Sequence, residues 1–157
     1  MLKIPKKASV IISLVLTVIF MLVLIFLAAV MPVLSEMLIN AQDSIGNRND
    51  ITDGGRTAVL VLAYCLIAAA AAADSLLFLL LIRVLKGLVF TERSIAYIRG
   101  VSWCVILVGI IFALLGIWFQ ISFIVGFAAF FLALCLRVVK NVIEEASDIK
   151  SENDLTI

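Results

Sequence analysis

The sequence predicts an all-α integral membrane protein: four transmembrane helices followed by a cytoplasmic amphipathic C-terminal extension. Three observations carry that prediction. Of 157 residues, 65% are hydrophobic and only 15% are charged, a balance foreign to soluble domains. The apolar residues gather in runs long enough to cross a hydrocarbon core, which takes about 20 helical residues. The cations gather between those runs, dense at one junction and sparse at the next. The chain reads as one domain, a four-helix transmembrane bundle over residues 1–157.

The first span is expected over 8–31. Lys3, Lys6 and Lys7 precede it, and only Ser13 and Thr17 interrupt its apolar run. A secretory signal has an apolar core of about 7–15 residues, so this longer run argues for an uncleaved helix. Pro32 is expected to kink or end it, leaving Val33 to Ile39 in the interface. Residues 40–57, rich in Gly, Asn and Asp, read as a solvated loop. The spacing of Asp43, Asp50 and Asp53 does not follow a calcium-binding loop, and no glutamate closes it.

The second span is expected over 58–82. Its six consecutive alanines, Ala68 to Ala73, let a neighbouring helix come close. Asp74 follows directly, nine residues before Arg83 and therefore about 14 Å into the membrane by helical rise. An ionised carboxylate at that depth costs several kcal/mol, so Asp74 is expected to face the bundle interior. Thr17, at comparable depth on the first span, and the adjacent Ser75 are its expected polar partners. Asp74 reads either as a proton, cation or ligand site or as a hydrogen bond that locks helix packing. With no second buried ionisable residue to form a relay, the locking role is favoured.

Residues 83–100 form a basic loop, with Arg83, Lys86, Arg93 and Arg99 set against the single acid Glu92. Phe90-Thr91-Glu92-Arg93-Ser94-Ile95 reads as a helix start. Thr91 is the N-cap, Glu92 meets the positive end of the helix dipole, and Phe90 staples onto Ile95. The third and fourth spans, expected over 101–118 and 122–139, share an uncharged stretch from Val101 to Leu136. Gln120 and Ser122 place a turn in its middle, beside Trp118 and Phe119, which suit the membrane interface. Gly109, Ala113 and Gly116 on one span and Gly126, Ala129 and Ala133 on the other supply the small residues for close contact. Beyond them Val139, Val142, Ile143, Ala146 and Ile149 share one helical face, which makes the tail over 140–157 amphipathic. By composition alone its last residues would be a frayed end.

Ten of the twelve Lys and Arg residues fall on alternate flanks, the N-terminus, the 83–100 loop and the tail, and two fall on the others. The positive-inside rule then puts both termini in the cytoplasm. There is no histidine, which removes the usual general base and the commonest metal ligand. Cys65, Cys104 and Cys135 lie singly inside apolar runs and read as packing residues. No catalytic set, cofactor site or metal site is expected, and the protein reads as a non-enzyme. The loop cations are explained by topology and by attraction to anionic lipid, so direct nucleic-acid binding is not expected.

Two segments carry a family resemblance. Leu85-Lys86-Gly87-Leu88-Val89-Phe90-Thr91-Glu92-Arg93-Ser94, running into Ile98-Arg99-Gly100, and the ending Glu152-Asn153-Asp154-Leu155-Thr156-Ile157 resemble the YoaS-like bacterial membrane proteins, a four-helix family of unknown function. The resemblance implies a bacterial cytoplasmic membrane protein and a partner, a small Cro/Xre-like helix-turn-helix regulator encoded nearby. It also implies a docking role for Asp154, Leu155, Thr156 and Ile157 beside Arg83, Lys86, Arg93 and Arg99. The expected function is a membrane regulator that holds or releases such a partner. The alternative is a small transporter, channel subunit or immunity-type protein that uses Asp74. The bilayer is the one certain partner, and a homo-oligomer is left open.

Overall fold

The structure, a computed structural model, describes residues 6–44, 52–88 and 91–154. They form four helices, α1 (Lys6–Ser44), α2 (Asp53–Leu85), α3 (Glu92–Leu115) and α4 (Ile121–Asp154), with no strand among the described residues. Each helix is long and apolar enough to cross a membrane, and the apolar window of each buries only 11% to 28% of itself inside the protein. The remaining apolar surface, with Phe26, Ile121 and Phe127 among its most exposed side chains, faces outward. In water such a surface would collapse or aggregate; in a bilayer it is solvated by lipid. The protein is an all-α, multi-pass membrane protein.

The helices run past the spans expected for them at most of their ends, for local reasons. α1 does not stop at Pro32. A proline inside a helix cannot donate to the carbonyl four residues back, here that of Ala28. The Tyr64 hydroxyl of α2 donates to this carbonyl at 3.3 Å, while the Ser35 hydroxyl donates to the Pro32 carbonyl at 2.8 Å. The break in the ladder thereby becomes a tie between α1 and α2. Tyr64→Phe is expected to lower the stability of this pair by about 1 kcal/mol, read as a lower unfolding midpoint in detergent.

α2 begins inside the expected loop because Thr52 caps it. The Gly55 N–H donates to Thr52 Oγ1 at 3.4 Å, and Asp53 sits in the first turn. The other end of α2 closes on Gly87, whose φ of +73° is a left-handed conformation that glycine adopts without steric cost. Leu88 N–H donates to the Arg83 carbonyl and Gly87 N–H to the Val84 carbonyl, which is the pairing of a Schellman motif. α3 ends at Leu115, and its turn into α4 is closed by bonds from Phe119 N–H to the Leu115 carbonyl and from Ser122 N–H to the Phe119 carbonyl. α4 then continues to Asp154, where composition alone suggested fraying. At about 1.5 Å per residue its 34 residues span about 51 Å, well beyond a core of about 30 Å.

The four helices do not close into a bundle. Among the described residues α1 packs on α2, α2 on α3 and α3 on α4, and no other pair of helices comes into backbone proximity. The result is a row in sequence order. Backbone meets backbone closely at the α3–α4 seam, where a Cβ added to Gly126 would stand 3.2 Å from the Gly109 carbonyl oxygen and 3.3 Å from the Ala113 nitrogen. The small residues expected at this seam are the ones that make it. A core of Ile39, Val59, Ala69, Ile111 and Leu115 fills the end of the row nearest the α1–α2 loop. The opposite, basic end holds the buried Ser94, Ile95 and Ile98 of α3.

Candidate functional site

The site follows from the open row and the composition of α2. Where α1 and α3 flank α2 with their backbones apart, they leave a groove of about 640 Å³. Ala70 and Ala73 belong to its α2 wall, together with Asp74, Leu77 and Leu81, residues spaced three and four apart on one helical face. Leu16, Thr17 and Phe20 line it from α1, and Val101, Val105 and Val108 from α3. The alanine run thus has two uses. Ala69 is buried in packing, whereas Ala70 and Ala73 are too short to fill the space before them.

Asp74 is the charged residue of this groove and is only 6% exposed. Thr17 stands at the same α1–α2 seam and is equally buried; both also line a second groove of about 400 Å³ on the other side of that seam. The expected partnership does not form, however. The Thr17 hydroxyl donates to the Leu14 carbonyl at 2.8 Å, and the Ser75 hydroxyl donates to the Ala71 carbonyl at 2.7 Å. In a helix a hydroxyl satisfies itself on the preceding turn when no better acceptor is within reach. Among the described residues none hydrogen-bonds the Asp74 carboxyl group. Chemically the groove is an apolar trough with one acid aimed into it, suited to an apolar molecule that carries a cationic or hydrogen-bond-donating group.

The basic loop is a built turn rather than a free strand of cations. Arg83 is half-buried: its guanidinium donates to Thr91 Oγ1 at 3.1 Å and lies 5.8 Å from the Tyr97 ring centroid. Thr91 is the N-cap residue of α3 by position, but its side chain makes no capping bond to the helix; the oxygen is used by Arg83 and by Ser94 Oγ at 3.0 Å. Ser94, fully buried, donates to the Leu88 carbonyl at 2.7 Å. The staple expected from Phe90 lies outside the described residues.

The proposed docking residues are not one patch. Arg83 and Arg93 line a cavity of about 590 Å³ that Ser147 and Asp148 of α4 complete, so the loop and the α4 extension form one surface there. Lys86 is exposed on the turn. Arg99 lines a different cavity, with Arg137 and Lys140. Asp154 is the last residue of α4, and Leu155, Thr156 and Ile157 lie outside the described residues. Of the amphipathic face expected on the tail, Ile143 and Ala146 are half-buried while Val139, Val142 and Ile149 are exposed.

The match to a family model takes in α2, α3 and α4, over residues 44–157. The chain belongs to the family described as Protein of unknown function (DUF2975). The matched region of this DUF2975 member contains Asp74, the basic loop and the Arg99 cavity, whereas the Thr17 wall of the groove precedes it. No curated protein and no solved structure matches the chain.

Proposed function

We propose that this DUF2975 protein is a non-enzymatic regulator in the bacterial cytoplasmic membrane. It binds an apolar, amine-bearing ligand in the Asp74 groove, and the basic loop with the α4 extension presents a surface to a cytoplasmic partner. The observation that carries the reading is Asp74: a buried acid with no hydrogen bond from any described residue, lining an apolar groove. An intramembrane carboxylate is costly, and a cationic ligand is one chemistry that offsets that cost. Asp74 lies nine residues before Arg83 on one continuous helix, and Arg83 ties the loop through Thr91 and Tyr97. A shift of α2 on ligand binding therefore reaches the loop directly. The positive-inside rule supports placing the loop and both termini in the cytoplasm, and the family resemblance of the loop and tail supports a small helix-turn-helix regulator as the partner. Against a transporter or channel stands the Ile39–Val59–Leu115 core, which fills the row beyond the groove.

The test is co-purification of the solubilised full chain with small helix-turn-helix regulators of the kind the resemblance implies, with and without a long-chain alkyl amine. The expected result is retention that changes several-fold with the amine in the wild type and is insensitive to it in Asp74→Leu. Arg83→Gln with Arg93→Gln, or removal of residues 152–157, is expected to abolish retention. Absence of retention in the wild type would overturn the regulatory reading. A mass measurement in detergent adds one more outcome: self-association lost in Asp74→Leu would make the groove a contact between copies of the chain.

A further inference from the structure

At the basic end of the α3–α4 seam, the faces that touch through Gly109, Ala113 and Gly126 deeper in the membrane change character. There the Ser102 hydroxyl donates across the seam to the Ala133 carbonyl at 3.3 Å. One turn further along each helix the facing residues are long and polar. Arg99 lies three residues before Ser102, and Arg137 and Lys140 lie four and seven after Ala133, so all three belong to the facing sides. Between them opens a cavity of about 380 Å³ lined by Arg99, Ser102, Trp103, Arg137, Lys140 and Asn141.

Its charge is incompletely balanced. Lys140 pairs with Glu144, one turn along α4. Arg99 and Arg137 form no ion pair with a described residue; the Arg137 guanidinium lies 5.4 Å from the Trp103 ring centroid. Asn141 accepts from Lys140 through its amide oxygen at 3.5 Å, which leaves its amide N–H groups as donors. Two uncompensated guanidiniums, an ammonium and an amide converge on a space more than ten times the ~30 Å³ share of a water molecule. Guanidinium groups bind phosphate in paired, planar geometry.

A second observation decides the source of that phosphate. Directly toward the membrane interior lies an apolar groove of about 200 Å³, lined by Ile106, Phe130, Ala133 and Leu134, and Arg137 belongs to both spaces. Trp103, 59% exposed, stands where an indole suits the boundary between headgroups and acyl chains. A charged cavity that shares Arg137 with an apolar groove offers the two parts a phospholipid needs. We propose that the α3–α4 junction binds an anionic phospholipid, with the phosphate held by Arg99, Arg137 and Lys140 and an acyl chain along Ile106 and Phe130. Basic pockets between transmembrane helices at the bilayer surface are suited to this chemistry. The inference does not depend on the regulatory reading above.

The experiment is native mass spectrometry of the full chain released from mixed phosphatidylglycerol and phosphatidylcholine micelles. The expected result is selective retention of phosphatidylglycerol, falling more than about fivefold for each of Arg99→Gln, Arg137→Gln and Lys140→Gln, because a cation in contact with the phosphate adds to the about fivefold that any one surface cation is worth. Arg93→Gln, which removes a loop cation outside the cavity, is expected to cost no more than that general surface contribution and clearly less than any of the three. Equal loss in Arg93→Gln would mean unspecific attraction and would overturn the site. Glycerol 3-phosphate carries the phosphate without the chains; if it displaces the lipid at equal concentration, the site is one for free phosphate and the lipid assignment fails. A photoreactive phosphatidylglycerol gives a reading on the wild type alone. Crosslinks confined to residues 99–106 and 130–141 support the proposal, and crosslinks spread over all four helices refute it.

Discussion

Gly126→Leu is expected to break the α3–α4 seam and lower the unfolding midpoint more than any other single substitution considered. The reason lies in what its Cβ would meet. Backbone atoms of Gly109 and Ala113 stand 3.2 and 3.3 Å from that position, and backbone cannot rotate aside as a side chain can. Alanine at 126 already presses on the neighbouring helix, and leucine adds three more carbons, so the helices must separate. Separation loosens the Ser102–Ala133 hydrogen bond and the packing of Phe130 over Gly109. Overpacking of this kind costs about 1–3 kcal/mol or more. In lipid no hydrophobic gain offsets it, because acyl chains solvate a parted seam as well as leucines do. Thermal unfolding in detergent is the measurement, with Gly126→Ala expected to fall between wild type and leucine. An unchanged midpoint for leucine would show that the seam contributes little.

Asp74→Leu is expected to act in the opposite direction, raising the unfolding midpoint while abolishing binding of a long-chain amine. A carboxylate at the centre of a transmembrane helix costs about 2.5–3.5 kcal/mol on insertion scales. Asp74 has no hydrogen bond from a described residue to offset that cost. Leucine removes it and fills part of the space in front of Ala70 and Ala73. Ser75→Ala is the control: that hydroxyl bonds its own helix at Ala71 and is exposed, so a change within about 0.5 kcal/mol is expected. The result separates the two roles the sequence allows for Asp74. A packing lock would make leucine destabilising by several kcal/mol, whereas a ligand site makes it stabilising. Loss of amine binding without loss of fold would establish the second.

The same residue marks how far a sequence can be read. That Asp74 is buried could be argued from its distance to Arg83 and from the cost of charge in hydrocarbon. That neither Thr17 nor Ser75 bonds it could not, because serine and threonine in a helix can turn to their own backbone and only the seam geometry decides. Pro32 is a similar case. Local rules predict a kink or an end, and the rescue comes from Tyr64 on another helix, 36 positions from the Ala28 carbonyl it bonds. The small residues of the α3–α4 seam were legible because glycine and alanine spaced three and four apart have few other reasons to recur in facing spans. The Arg99–Arg137 convergence was not, since their positions are 38 apart and their meeting depends on the register set by Ser102 and Ala133.

By itself the sequence determined the solvent, the helix number and the turn at Gln120. These follow from one-dimensional quantities: the length of an apolar run against the thickness of a bilayer, and where the charged and polar residues interrupt it. Tertiary structure alone decided that the helices form an open row, that Asp74 lines a groove without a partner, and that the basic loop divides between two cavities. In lipid every apolar face is solvated equally well, so hydropathy does not rank one helix arrangement above another. Close backbone contact and a few polar ties make that choice, and both depend on which residues meet in three dimensions.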